Sequence, residues 1–332
     1  MTRPARIRRV GSWVASLAGA VAVVAATVCA AWLIGRIVSD RFVWSQWLLW
    51  IPTPVVLVVA AIALGVAYRP DARSGRRRRR LIAWGVTVGA VLGFFGFVEH
   101  RFGRPASRGG ATLRLVHASV QATGPRMLDA YGAGLTALDG DVTIVSSLLP
   151  MNGINRLIDR LDGLGEPVTA WPFVMFTKLP VVEARPLVAN ADLRVVVYRV
   201  DATATVGRIV TIWVIDLPSD PRRQRYAIAR RARSILDKVT ADPPDLVVGD
   251  FNMTRGSASL ARVFPDLSHA FDEAGRGYGA SFSRSLPLYH IDHTLLADTV
   301  RAVSYELVDI GVGRHLVQVT EVKGTDPSTG RR

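Results

Sequence analysis

The sequence predicts one α+β domain, two β-sheets flanked by helices, behind three membrane-spanning helices. Two observations predict it. Three apolar stretches without a charged side chain fill the first hundred residues. After them, short runs rich in β-branched residues mix with amphipathic helical stretches, several runs in consecutive pairs rather than in strict βαβ alternation. A chain of 332 residues holds a membrane region and one substantial domain.

The apolar stretches run from about 13 to 35, 42 to 68 and 81 to 98. Each is near the roughly 20 residues that cross a bilayer, where a charge would be costly. Pro52 and Pro54 kink the second stretch or mark its outer end, and Trp44, Trp47 and Trp50 beside them suit an interfacial aromatic belt. Arg3, Arg6, Arg8 and Arg9 precede the first stretch; Arg69, Arg73 and the run 76–80 lie between the second and third. The positive-inside rule keeps both segments cytoplasmic, so the third span exits and the chain from about 104 onward is extracytoplasmic. A secretory signal is the competing reading of 1–34, and lipid or nucleic-acid binding that of the Arg run. The two further spans and the charge pattern favour topology. The expected organisation is a multi-pass region 1–103, a Gly/Arg/Pro linker 104–110, a domain 111–323 and a disordered polar tail 324–332.

The net charge of +14 suggests a nucleic-acid binder until it is located. Residues 1–103 carry 14 Arg against 3 acids, and residues 104–332 carry 27 Lys or Arg against 24 acids. The basic excess therefore belongs to the membrane region, whose partner is the lipid bilayer, and nucleic acid is not favoured for the domain. Cys29, the only cysteine, lies in the first span, which leaves the domain neither a disulfide nor a thiolate metal site.

Within the domain, strands are expected at 113–118, 142–145, 173–176, 193–198, 209–215, 246–248, 290–296, 302–307 and 316–322, and helices at 126–138, 154–161 and 221–240. The last helix has an apolar stripe that includes Tyr226, Ala229, Ala232 and Leu236. Its opposite face, with Arg222, Arg223, Arg230, Arg231 and Arg233, reads as solvated rather than as a polyanion grip.

The stretch Asp245-Leu246-Val247-Val248-Gly249-Asp250-Phe251-Asn252 carries the chemistry. A buried strand that breaks at Gly249 puts Asp250 and Asn252 at the sheet edge, on one face. A carboxylate that orients or deprotonates water, beside an amide that donates to a phosphate oxygen, suits phosphoester hydrolysis. His290-Ile291-Asp292-His293 and a lone His315 follow.

On Val248-Gly249-Asp250-Phe251-Asn252, on Gly275-Arg276-Gly277-Tyr278-Gly279 and on Ile291-Asp292-His293-Thr294-Leu295-Leu296, the domain resembles the endonuclease/exonuclease/phosphatase (DNase I-like) superfamily, and most of all its membrane-anchored bacterial branch. The resemblance implies a four-layered α/β sandwich, a phosphate-ester substrate and Mg²⁺. By resemblance Asp250 positions the attacking water, Asn252 contacts the phosphate, and Asp292 orients His315.

The departures concern the metal. Ser119 stands where the family's first strand ends in asparagine, and it would face the substrate. Ser147 stands at the metal-holding glutamate, Asp216 at a histidine, and Arg314 at the aspartate before the final histidine. Two carboxylates are thereby lost from a cation that prefers hard oxygen ligands. Asp216 and Asp250 remain as metal candidates, so Mg²⁺ is expected to bind weakly or not at all. Arg314 would then clamp phosphate in the metal's place. The alternative is a catalytically inactive member that binds a phosphate-bearing ligand or a partner at the membrane surface.

Plainer readings exist for each residue. Asp250 could cap a helix over 253–260 with Asn252 in a turn, Asp216 could be a loop carboxylate, and Asp292 a structural partner of His315 or His293. His290 and His293 point to opposite faces if both lie in a strand, which separates them as ligands. His117 and His269 show no partner in the sequence and read as ordinary partly buried histidines.

Overall fold

The computed structural model describes residues 4–68, 75–102, 112–120, 124–147, 155, 158–159 and 161–325. The linker 104–110, most of the expected helix 154–161 and the tail beyond 325 fall outside these residues. The chain divides into two compact units, residues 1–100 and 101–332.

The first unit is helical: α1 (Pro4–Val38), α2 (Val43–Leu49), α3 (Thr53–Ala67) and α4 (Gly75–Gly93), the last continued by a π-helical turn, Phe94–Glu99. Two helical segments, Ser16–Val38 and Arg77–Glu99, are long and apolar enough to cross a membrane. The second expected span is not one continuous helix. It is broken into α2 and α3, which bend by 69°. The cause is Pro52, which caps α3 and has no amide to carry α2 onward, with Pro54 in the first turn behind it.

Trp32, Val56 and Val91 join α1, α3 and α4 in one apolar cluster. At one end Thr53 Oγ1 donates to Glu99 Oε1 (2.7 Å), and Arg36 Nη2 donates to the same oxygen (3.0 Å). The start of α3 thus meets the ends of α1 and α4, so α3 runs antiparallel to both.

The second unit contains twelve strands among the described residues, in two mixed sheets of six. They are β1 (Leu113–Val120), β2 (Val142–Ser147), β3 (Glu166–Ala170), β4 (Phe173–Thr177), β5 (Val181–Ala189), β6 (Arg194–Asp201), β7 (Ile209–Asp216), β8 (Leu246–Asp250), β9 (Ser268–His269), β10 (Asp292–Leu296), β11 (Val300–Val308) and β12 (Val317–Gly324). Helices α5 (Pro125–Thr136), α6 (Thr203–Val206), α7 (Arg225–Leu236), α8 (Ala258–Val263) and α9 (Ala270–Ala274) connect them. The sheet orders are β11-β12-β1-β2-β4-β3 and β5-β6-β7-β8-β10-β9. Each sheet has one parallel pair, β1–β2 and β7–β8, and the stretch joining each pair contains α5 or α7.

Strand alternation builds the layers. Leu113, Leu115, Val196, Tyr198, Val214 and Val248 point into a core shared by both sheets. Their neighbours Val116 and Ala118 pack with Leu128 and Leu135 of α5. Val195 and Val247 pack with Ile228 and Ala232 of α7. Each sheet is thus apolar on both faces.

Each of the nine expected strands overlaps an observed one; six lie wholly within it, and the expectations at 193, 290–291 and 316 start before the observed strands. The sequence reading missed β3, β5 and β9. Expected helix 221–240 starts at Arg225, after Pro221. On its outer face Arg223 and Arg231 pair with Asp192, and Arg233 with Asp237, as a solvated face does. Gly324, expected to open the tail, closes β12.

Candidate active site

Three carboxylates end up in register because of how β7, β8 and β10 pair. Parallel β7 and β8 align Asp216 with Asp250, and antiparallel β10 aligns Asp292 with Asp250. Since Val214 and Val248 face the inter-sheet core, the residues two further along face the same side.

Gly249 makes the alignment possible, and β8 does not break there as the sequence suggested. It runs through Asp250. A Cβ on Gly249 would lie 1.9 Å from the Ile215 carbonyl oxygen, so only glycine lets the two strands approach this closely. The chain turns two residues later, where Asn252 adopts a left-handed conformation (φ 51°). Its backbone N–H donates to Asp250 Oδ1 (3.0 Å) and its Nδ2 to the Leu217 carbonyl (3.0 Å). Asp250 caps no helix. The next one starts at Ala258, with Ser257 as its cap.

His315 arrives just before β12. Its Nδ1 donates to Asp292 Oδ2 (2.9 Å), which also accepts from Ser281 Oγ (2.5 Å), and its Nε2 lies 4.0 Å from Asp250 Oδ2. Burial alone would lower the His315 pKa; the Asp292 charge and hydrogen bond outweigh it and raise it to about 9. Burial would raise Asp292, but His315 outweighs it and holds the carboxyl below its ordinary value. Asp250 goes the other way, pushed well up by burial and by the charge of Asp292. The site therefore holds an imidazolium–carboxylate pair behind a carboxyl group that takes protons more readily than usual, which suits a general base.

A pocket of about 330 Å³ opens on this row. It is lined by Ser119, Ser146, Arg194, Asp216, Asp250 and Asn252, among others. His315 and Asp292 lie outside the lining and reach it through Asp250. Asp216 is no loop carboxylate. It is the last residue of β7, half-buried, and accepts from Arg194 Nη1 (2.7 Å). Burial nevertheless keeps its pKa raised. Arg314 is exposed, its guanidinium stacked over the Phe282 ring, and it is not in the lining. The serine of β2 that lines the pocket is Ser146. The side chain of Ser147, the expected glutamate position, lies outside what is described.

No family model and no curated protein matches the chain. Solved structures do. An endonuclease/exonuclease/phosphatase family protein from Bacteroides thetaiotaomicron is 11% identical, with a TM-score of 0.53 over 68% of this chain and 99% of that one. The second unit has the endonuclease/exonuclease/phosphatase fold. A mannosyl-6-phosphatase from the same bacterium (11% identity, TM-score 0.50, 63% of this chain and 99% of that one) is similar too. So is a functionally unknown conserved protein from Enterococcus faecalis (13%, 0.50, 64% and 100%).

Against this fold's expected Mg²⁺, the donor set can be tested directly. Asp250, Asp292 and His315 bring ligand atoms within 4.8 Å of one another, so a group able to approach a cation exists. The charges around it do not fit a hard divalent ion. His315 carries its own positive charge between Asp292 and Asp250. Asp216 already holds a guanidinium, and Asp250 Oδ1 is occupied by the Asn252 amide. Asp250 and Asp216 are left as oxygen ligands already engaged by donors of the protein itself.

Sequence reasoning underrated the histidines. His117 is fully buried, accepts at Nδ1 from Gln318 Nε2 (2.9 Å) and donates from Nε2 to Ser146 Oγ (2.9 Å). His290 and His293 are not separated, because β10 begins at Asp292 and His290 lies before it. With His269 they form a buried cluster of rings 4.8–5.0 Å apart. Proton accounting reads it as structural. Phe271 N–H donates to His269 Nδ1 (3.1 Å), so the His269 proton is on Nε2 and donates to His293 Nδ1 (2.7 Å). His293 Nε2 then donates to the Met253 carbonyl (2.7 Å). Burial lowers all three pKa values, which keeps the rings neutral.

Proposed function

We propose that this protein is a membrane-anchored phosphoester hydrolase of the endonuclease/exonuclease/phosphatase superfamily with a depleted metal site. The reading is supported above all by one observation: His315 hydrogen-bonds Asp292 and lies 4.0 Å from Asp250 at the edge of a polar pocket. In this mechanism Asp250 removes the proton of the attacking water, and Asn252 holds the Asp250 loop and meets the phosphate. His315, held as imidazolium by Asp292, offers a proton to the developing oxyanion or leaving group. Ser119 and Ser146 supply hydroxyls to the phosphate oxygens. Asp216 and Asp250 would be the oxygen ligands of any Mg²⁺, and their existing partners leave it weakly held or absent. A phosphate-ester ligand is also in keeping with the mannosyl-6-phosphatase that shares the fold.

Full-length protein in detergent is expected to release product from an aryl phosphomonoester or phosphodiester. Asp250→Asn is expected to slow release by about 10²- to 10⁴-fold, the usual contribution of a general base. Phosphate binding without turnover in the wild type would replace this reading with the second, an inactive binding descendant. The charge-saturated donor set favours that alternative.

The four-layered DNase I-like domain is proposed to lie outside the cytoplasmic membrane, with α2 and α3 together making the second of three spans. The antiparallel packing of α3 between α1 and α4 supports this reading. So does the Arg run 76–80, which a two-span topology would put on the outer side. A reporter fused after Thr325 is expected to be active only in the external compartment. Cytoplasmic activity would make α2–α3 a re-entrant hairpin and leave two spans.

A further inference from the structure

The pocket holds one cation that the sequence did not point to. Arg194 is the first residue of β6, opposite Asp216 in the antiparallel pairing with β7. It lines the pocket with its side chain about a third exposed. Only Nη1 is engaged, on Asp216 Oδ2 at 2.7 Å. Nε and Nη2 carry no hydrogen bond among the described residues.

We propose that Arg194 is the phosphate-binding cation of this pocket and that a phosphate monoester or diester binds it without a divalent ion. This rests on the hydrolase reading for the identity of the pocket, but not on turnover.

The geometry argues for it in three ways. A guanidinium held by one nitrogen keeps a fork of two donors for two phosphate oxygens, and Asp216 fixes its direction as a positioning residue. Asp216 and Asp250 would repel an incoming phosphate, and Arg194 sits on the carboxylate that faces the pocket from β7. The other candidate cations are spent elsewhere: His315 on Asp292, and Arg314, exposed, on the face of Phe282. Ser119, Ser146 and Asn252 complete a polar lining of hydroxyl and amide groups.

The test is calorimetric titration of full-length protein in detergent with inorganic phosphate, in EDTA and again with Mg²⁺. Phosphate is expected to bind in EDTA, and Mg²⁺ to leave the affinity unchanged. Arg194→Ala is expected to weaken binding roughly tenfold or more, as loss of hydrogen bonds to a charged group does. Arg194→Lys, which keeps the charge but not the fork, is expected to weaken it several-fold, and it covers the case in which the alanine variant fails to fold. Binding that requires Mg²⁺, or that disappears in Arg314→Ala and persists in Arg194→Ala, overturns the proposal. Turnover is followed in the same preparations. Turnover together with phosphate binding that is indifferent to Arg194 sinks this proposal and spares the hydrolase reading. Arg194-dependent binding with no turnover does the reverse.

Discussion

Asp292→Asn is expected to cut phosphoester turnover by about 10²- to 10⁴-fold and to bring the His315 pKa down from about 9. The side chain keeps its shape and loses its charge. What remains around His315 is burial and the Arg314 charge, which disfavour the imidazolium, against the Asp250 charge, which favours it. Less of His315 would then be imidazolium at a given pH, and less of it would have a proton to give.

The sign of the pH dependence follows. His315 is raised in the folded protein, so its protonation adds stability that is complete below about 6.5 and is lost as pH rises through about 9. Asp292 is lowered, so its contribution is present above the ordinary carboxylate value and is lost as pH falls through the depressed one. The wild type should therefore show an alkaline limb of activity near 9, which moves to lower pH in Asp292→Asn. Nitrogen-15 NMR titration of the His315 ring reads the pKa, and pH–rate profiles read its consequence. A His315 midpoint that stays near 9 in the variant would mean that Asp292 does not hold the proton there.

Gly249→Ala is expected to carry the largest cost to the fold. Its Cβ would meet the Ile215 carbonyl oxygen at 1.9 Å and the carbonyl carbon at 2.8 Å, both in backbone that cannot rotate away. The β7–β8 pair must separate at the point where it aligns Asp216 with Asp250. A cost of about 3 kcal/mol or more, at the upper end for overpacking, is expected, and with it a fall in Tm of roughly 6–12 °C for a domain of this size. Thermal unfolding by circular dichroism measures it. An unchanged midpoint would mean the strands have slack that this backbone does not show. Activity should fall further than stability, because the strand that moves carries Asp250, the proposed base.

These expectations depend on features of unequal visibility. The strands that were legible, such as β7 and β8, are continuous β-branched runs buried on both faces. β5 was not legible because it lies at a sheet edge, is largely exposed and carries Pro186. β9 spans only two residues, too few for any period to register. The break in the second apolar stretch was half legible. Pro52 announced a kink, but the bend of 69° follows from where α2 ends.

At the site, Asp250, Asn252, Asp292 and His315 were nameable from their motifs. Arg194 was not, because an arginine at the start of a strand looks like any surface arginine until β6 is paired with β7. The histidines were misread for a related reason. Their relation depended on where β10 begins and on what His269 and His117 meet across the sheets.

The sequence alone determined composition and period: apolar stretches long enough for lipid, doubly apolar strands, and a glycine next to an acid and an amide. Those properties are local, since burial and backbone freedom act residue by residue. Register, proton location and charge pairing belonged to the tertiary structure. Three acids became one row, His315 became a cation and Arg194 became part of a pocket only when strands distant in the chain were brought within hydrogen-bonding reach.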